Sequence, residues 1–244
     1  MAATVDDAWV WGLVGGSSFV VGGLVALYRQ PTGRVLGVVM GFGSGALISA
    51  VSYELVDEAG QIAGGSGRVA GGLVLGAVLA VGLVGGFSRE EGPPTGAHVS
   101  AGSEWPVVLA LTVSAAAEAV VIVGSLIGGH GVSVAVVTAV FLCGVPEAIA
   151  ATPGLRSAVG DGWRIALAWA GLAGWCGLVA ALASAVLSDA SANTVALTLA
   201  CAGGVVLTTL TTHLIPRAYA LAGSLVGVPV VVGFALSFGL IELV

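Results

Sequence analysis

A chain of 244 residues with 57% hydrophobic and only 8% charged side chains cannot cover a water-soluble surface, since soluble domains carry about 25% charged residues. Its mean hydropathy of +1.09 puts it among multispanning membrane proteins. The formal net charge of −6 gives no support to nucleic-acid binding, and Cys143, Cys176 and Cys201, at no paired spacing, form neither a disulfide framework nor a CxxC metal knot.

Apolar runs of bilayer-crossing length, about 20 residues each, fall in chain order at 8–28, 35–56, 68–87, 106–127, 132–153, 164–187, 193–214 and 222–243. Each is read as a helix, because a segment alone in lipid must satisfy its own backbone hydrogen bonds. Barrel strands would be shorter and alternating. The start, "MAATVDDAWVW", is acidic and lacks a basic n-region, so the first run is expected to be a retained span rather than a cleaved signal peptide. With the N-terminus outside, the inner loops hold Arg29, Arg34, Arg89, Arg156, Arg164 and Arg217, and the outer loops hold only Arg68. That bias predicts a multi-pass cell-membrane protein, one transmembrane domain over residues 1–244, with both termini outside. The longest loop, 88–105, is rich in Gly, Pro and Ser and is expected to be a flexible cytoplasmic segment between the third and fourth spans.

Two pairs of segments look alike. "FGSGALISAVSYELVDEA" (Phe42–Ala59) set beside "CAGGVVLTTLTTHLIPRA" (Cys201–Ala218) aligns Gly45 with Gly204, Leu55 with Leu214 and Ala59 with Ala218. "SAAAEAVVIVGSL" (Ser114–Leu126) set beside "CGVPEAIAATPGL" (Cys143–Leu155) aligns Glu118 with Glu147 and Leu126 with Leu155. In both pairs the two segments cross the membrane in opposite directions. The expected fold is therefore an all-α integral membrane protein of eight transmembrane helices with inverted repeats, spans 1–3 matching 6–8 and span 4 matching span 5, an architecture common among transporters.

Glu118 and Glu147 are then repeat mates near mid-bilayer. A charged group at the bilayer centre costs about 2.5–3.5 kcal/mol on insertion scales, and the sequence places no Arg, Lys or His at matching depth. The acids are therefore protonated, line water, or share a cation. Ser114 precedes Glu118 by one helical turn, as Cys143 precedes Glu147, so each pair shares a helix face. Pro146 lacks an N–H and is expected to break its helix and free carbonyls near Leu142 and Cys143. The plain alternative is a pair of protonated acids that hydrogen-bond neighbouring helices.

At these residues the chain resembles the ZIP family of divalent-metal transporters. Those proteins have eight spans, both ends outside, and variants of His-Asn-x-Pro-Glu-Gly on spans four and five. "CGVPEA" keeps the Pro and Glu as Pro146 and Glu147, "SAAAEA" keeps the Glu as Glu118, and "GSGALISAVSYELVDEA" resembles the family's second span. The resemblance implies a transported divalent metal, zinc or similar, as substrate, with no resident cofactor. It implies Glu118 and Glu147 as core ligands, with Cys143 and Ser114 standing where the family has histidines. Ala115 and Gly144 replace the asparagines, Gly174 stands for the sixth-span acid, and the long loop has the single histidine His98. Two carboxylates and a thiol leave a reduced site, for which zinc and a harder, oxygen-preferring ion both remain open.

Glu54, Asp57 and Glu58 cluster near the outer end of the second span, as an acidic mouth for cations or as solvated helix-end charge. His213, the repeat mate of Glu54, is an exit-side ligand or an interfacial hydrogen-bonding histidine. "GFGSGA" (Gly41–Ala46) matches a dinucleotide fingerprint but has no strand before it, so that reading fails. Gly41/Gly45, Gly67/Gly71 and Gly72/Gly76 form small-xxx-small faces that serve internal helix packing or a homodimer within the lipid bilayer. His130, Trp105 and Trp163 read as loop or interface residues. No nucleophile–base–acid set occurs, so the chain is not read as an enzyme. Three functions follow: a ZIP-like divalent-metal transporter, a transporter of protons or another cation through the same acids, or a homologue that kept the fold without transport.

Overall fold

The structure is a computed structural model that describes residues 5–64, 66–85, 105–127 and 131–243. The regular elements among them are all helical: α1 (Val5–Tyr28), α2 (Gly33–Ala50), a π turn (Val51–Leu55), α3 (Val56–Ala63), α4 (Ser66–Gly85), α5 (Trp105–Ile127), α6 (Val134–Val159), α7 (Gly162–Ser188), α8 (Ala192–Thr209), a second π turn (Leu210–Leu214), α9 (Ile215–Ala222), a 3-10 turn (Gly223–Val226) and α10 (Gly227–Glu242). Six helical runs among the described residues are long and apolar enough to cross a membrane: Val5–Tyr28, Gly33–Ala63, Leu109–Ile127, Val134–Ser157, Gly162–Ser188 and Ala192–Glu242. The chain is thus an all-α, multi-pass membrane protein.

Two of the expected spans are not separate members of that set. The apolar helix Gly67–Leu83, over the expected 68–87, is shorter, and 222–243 belongs to the 51-residue run Ala192–Glu242. A straight helix of that length would reach about 75 Å at 1.5 Å per residue, more than twice a hydrocarbon core of about 30 Å. The run reverses at Gly223, whose φ of 68° suits a residue without Cβ. α9 runs against α2, with Leu221 beside Gly33 and Ala218 beside Gly37, while α10 runs along α2, with Val226 beside Gly41 and Val230 beside Gly45. The expected loop 88–105, apart from its last residue, lies outside the described residues, as do His98 and His130.

Packing of these helices depends on glycines that meet carbonyls. A Cβ on Gly45 would overlap the Val230 carbonyl, and one on Gly204 the Leu73 carbonyl. Likewise Gly76 meets the Cys201 carbonyl and Gly233 the Phe42 carbonyl. α4 therefore runs along α8 as α10 runs along α2. The two π turns, Val51–Leu55 and Leu210–Leu214, are separated by the same offset that pairs Gly45 with Gly204 and Leu55 with Leu214 in sequence. Of the expected small-residue faces, Gly41/Gly45 and Gly72/Gly76 pack inside the protein, whereas nothing lies within 4 Å of a Cβ built on Gly67 or Gly71.

α5 and α6 form the centre. α6 lies against α1 and α2, and α5 against α7, α8 and α1. The Ser133 side chain caps the start of α6 by accepting from Val136 N–H, and Ser191 does the same for α8 from Thr194 N–H, each satisfying a donor that the helix leaves orphaned.

Candidate cation site

Glu118 on α5 and Glu147 on α6 come together inside this centre. Each carboxylate lies within reach of the other's charge. Glu118 is 3% exposed. Glu147 is half-buried as a residue, but its Oε2, like that of Glu118, is hidden from solvent and has no hydrogen-bond partner. Ser114, one turn before Glu118, hydrogen-bonds the Glu118 carboxylate. Cys143, 1% exposed, lies close enough to both carboxylates to feel their charge. The structure thus gathers all four sequence candidates, Glu118, Glu147, Cys143 and Ser114, in one region. Two like charges held together in a low-dielectric interior repel strongly, and a cation or protons must balance them.

Helix α6 departs from the expected break. It continues through Pro146 and Pro153 from Val134 to Val159. Pro146 does remove the normal donor to the Leu142 carbonyl, but Gly43 of α2 packs directly on that oxygen. The missing Cβ lets α2 approach closely at the turn that Pro146 disturbs, and α6 stays helical there.

Two residues that the sequence did not single out belong to the same region. Cys176 of α7 places its thiol 3.8 Å from the Ala115 carbonyl and within reach of the charge on both carboxylates. Gly174, at the position where an acid was looked for, adds nothing: a Cβ there would meet no atom within 4 Å. Arg217 of α9 overturns the expectation that no cation lies at matching depth. Its Nη2 donates to the Ala150 carbonyl at 2.7 Å, one turn beyond Glu147, and its charge reaches the Glu147 carboxylate. A guanidinium on a long stem reaches well away from its own Cα, so its position along the sequence understates its depth. Its pairing with Glu58 at the repeat offset was the available signal.

The peripheral candidates stand apart from the centre. Glu54 lies in the first π turn and accepts from Ser133 Oγ at 2.6 Å. Asp57 is exposed and accepts from Gln61 Nε2 at 2.8 Å, and Glu58 is half-buried on α3. His213 is exposed in the second π turn. Among the described residues no three His, Cys, Asp or Glu side chains converge as a group that would hold a metal ion. The donor set at the centre is therefore two carboxylates and a hydroxyl, with thiols at its edge. A scan against protein-family models and a search of curated proteins found no match to this chain.

Proposed function

We propose that this chain is a ZIP-like membrane transporter of divalent metal cations, with Glu118 and Glu147 as the pair that binds the ion in passage. One observation carries the reading. Two carboxylates inside adjacent central helices interact with each other, and each keeps one buried oxygen without a partner. Buried polar groups are nearly always satisfied, and intramembrane acids that face a bundle interior mark ion pathways. A passing cation would satisfy both oxygens and offset their repulsion. Ser114 supplies a third oxygen, and Cys143 a softer donor for a metal that accepts it.

The reading takes the chain as eight spans built from inverted repeats, in the cell membrane with both termini outside. Its support is the paired π turns, the matched glycine–carbonyl contacts and the arginine asymmetry between loops. Repeats of this kind allow one bundle to rock against the other and expose the site to each side in turn. Glu54, Asp57 and Glu58 would gather cations at the outer mouth, and His213 would line the way out.

A second reading, transport of protons or another cation by the same acids, is favoured because no three His, Cys, Asp or Glu side chains among the described residues converge to hold a metal ion. Uptake by proteoliposomes across a panel of divalent ions, with a pH-sensitive dye inside, separates the two. Metal uptake abolished in Glu118→Gln and in Glu147→Gln supports the first reading. Proton flux without metal uptake supports the second. Full metal transport by the double variant, correctly inserted, refutes both roles for the pair.

A further inference from the structure

The helical turns that follow the two π turns carry opposite charge. At the repeat offset, Glu54 corresponds to His213 and Glu58 to Arg217. Glu54 is held at the start of α6 by Ser133. Arg217, from the other end of the pair, reaches the same helix and donates to the Ala150 carbonyl at 2.7 Å. Ala150 lies three residues beyond Glu147 and is buried, and residues three apart on a helix are neighbours on its surface. The guanidinium is thus anchored one turn from the central carboxylate, on the side from which α9 approaches. Arg217 is exposed as a residue, while its head group lies against α6 through the Ala150 carbonyl.

We infer that Arg217 is a resident counter-cation of the Glu118–Glu147 site, which competes with the transported ion for Glu147 and promotes its release. The inference rests on the transport reading above and adds to it the residue that sets how tightly the ion is held. With no ion bound, the fixed guanidinium offsets part of the carboxylate charge, so the empty pair is tolerated in a dry interior. When a divalent cation arrives, it meets the same fixed positive charge, and its binding is weakened in proportion to its own charge. A divalent ion is therefore penalised about twice as much as a monovalent one at the same place. A transporter gains from this, because an ion held too tightly is not released.

The test uses the purified full chain, with Mn²⁺ and Zn²⁺ as probes and thermal stabilisation as the binding readout. Arg217→Gln is expected to tighten divalent binding by about tenfold or more while slowing metal turnover in proteoliposomes. Arg217→Lys keeps the charge and should stay close to the wild type. In a Glu147→Gln background, Arg217→Gln should no longer change affinity, an outcome that a purely structural role does not produce. If Arg217→Gln does not fold, the charge can be removed after folding. The chain contains no lysine, so acetic anhydride treatment of folded Arg217→Lys, followed by hydroxylamine to remove tyrosine and cysteine esters, leaves only the new amine and the N-terminus acetylated, with treated wild type as control. Acetylation should then tighten divalent binding as Gln would. Wild-type affinity in folded Arg217→Gln, or no change on acetylation, overturns the inference and leaves the transport reading in place. No divalent binding by the wild type or by either neutralised form removes the metal-transport reading and this inference together. Binding that appears only on neutralisation supports the inference.

Discussion

The Ser133 hydroxyl donates to Glu54 Oε1 at 2.6 Å and accepts from Val136 N–H at 3.2 Å. One side chain thus caps α6 and ties it to the first π turn, while the Ser133 N–H donates to Ser125 on α5 at 3.3 Å. Ser191 caps α8 with no carboxylate partner, by accepting from Thr194 N–H at 3.3 Å. Ser133→Ala should therefore cost more than Ser191→Ala. The expected losses are about 1 kcal/mol for the cap alone and about 1–3 kcal/mol where a half-buried carboxylate also loses its donor. Thermal unfolding of both variants in one detergent checks the order. Equal losses would show that the Glu54 contact adds no stability.

Glycine substitutions should divide by what a Cβ meets. Gly45→Ala and Gly204→Ala each drive a methyl into a backbone carbonyl of a neighbouring helix. Backbone cannot move aside as a side-chain tip can, so each should destabilise by about 2–3 kcal/mol or prevent assembly. Gly71→Ala meets nothing within 4 Å and should be neutral, or stabilising by up to about 1 kcal/mol through helix propensity. Yield of monodisperse protein and apparent Tm measure both. A large loss in Gly71→Ala, with the other two unaffected, would assign the lipid-side stripe, rather than the internal one, to helix association.

Topology follows from the arginine distribution and can be read by labelling. In a variant lacking Cys143, Cys176 and Cys201, a cysteine at Asp161 should react only from the cytoplasmic side, and one at Asp189 only from outside. Both positions are exposed, at opposite ends of α7. Reaction of the two from the same side would contradict a membrane-crossing α7.

Cys143 and pH test the chemistry of the centre. If the thiol binds the ion, Cys143→Ala weakens metal affinity and Cys143→His preserves or strengthens it. If the carboxylates alone bind, neither changes it, and the thiol is a small apolar filler. In either case protons compete with metal for the Glu118 and Glu147 oxygens, so apparent affinity should fall as pH falls. Isothermal titration at several pH values measures this. A pH-independent affinity in the carboxylate range would show that the pair is not the binding group.

Run length and composition alone determined that this chain is helical and membrane-spanning, because lipid forces every backbone group to be satisfied within the segment. The expected runs at 164–187 and 8–28 correspond to α7 and α1 within a few residues. The alignment of Glu118 with Glu147, and the one-turn spacing of Ser114 and Cys143, were legible for the same reason: helical periodicity fixes which residues share a face. Only the tertiary structure decided what those faces meet. It turned Gly72 and Gly76 inward and left Gly67 and Gly71 outside, because helix rotation is set by packing between neighbours and not by spacing along one chain. It kept α6 continuous through Pro146, with Gly43 of α2 packed close to Leu142, because packing between neighbouring helices can offset the bond a proline removes. It brought Arg217 and Cys176 toward the carboxylates, because a long side chain's reach and a neighbouring helix's approach are not written in sequence position. Which residues share a helix face was readable from one dimension; depth of a long side chain and proximity across the bundle required all three.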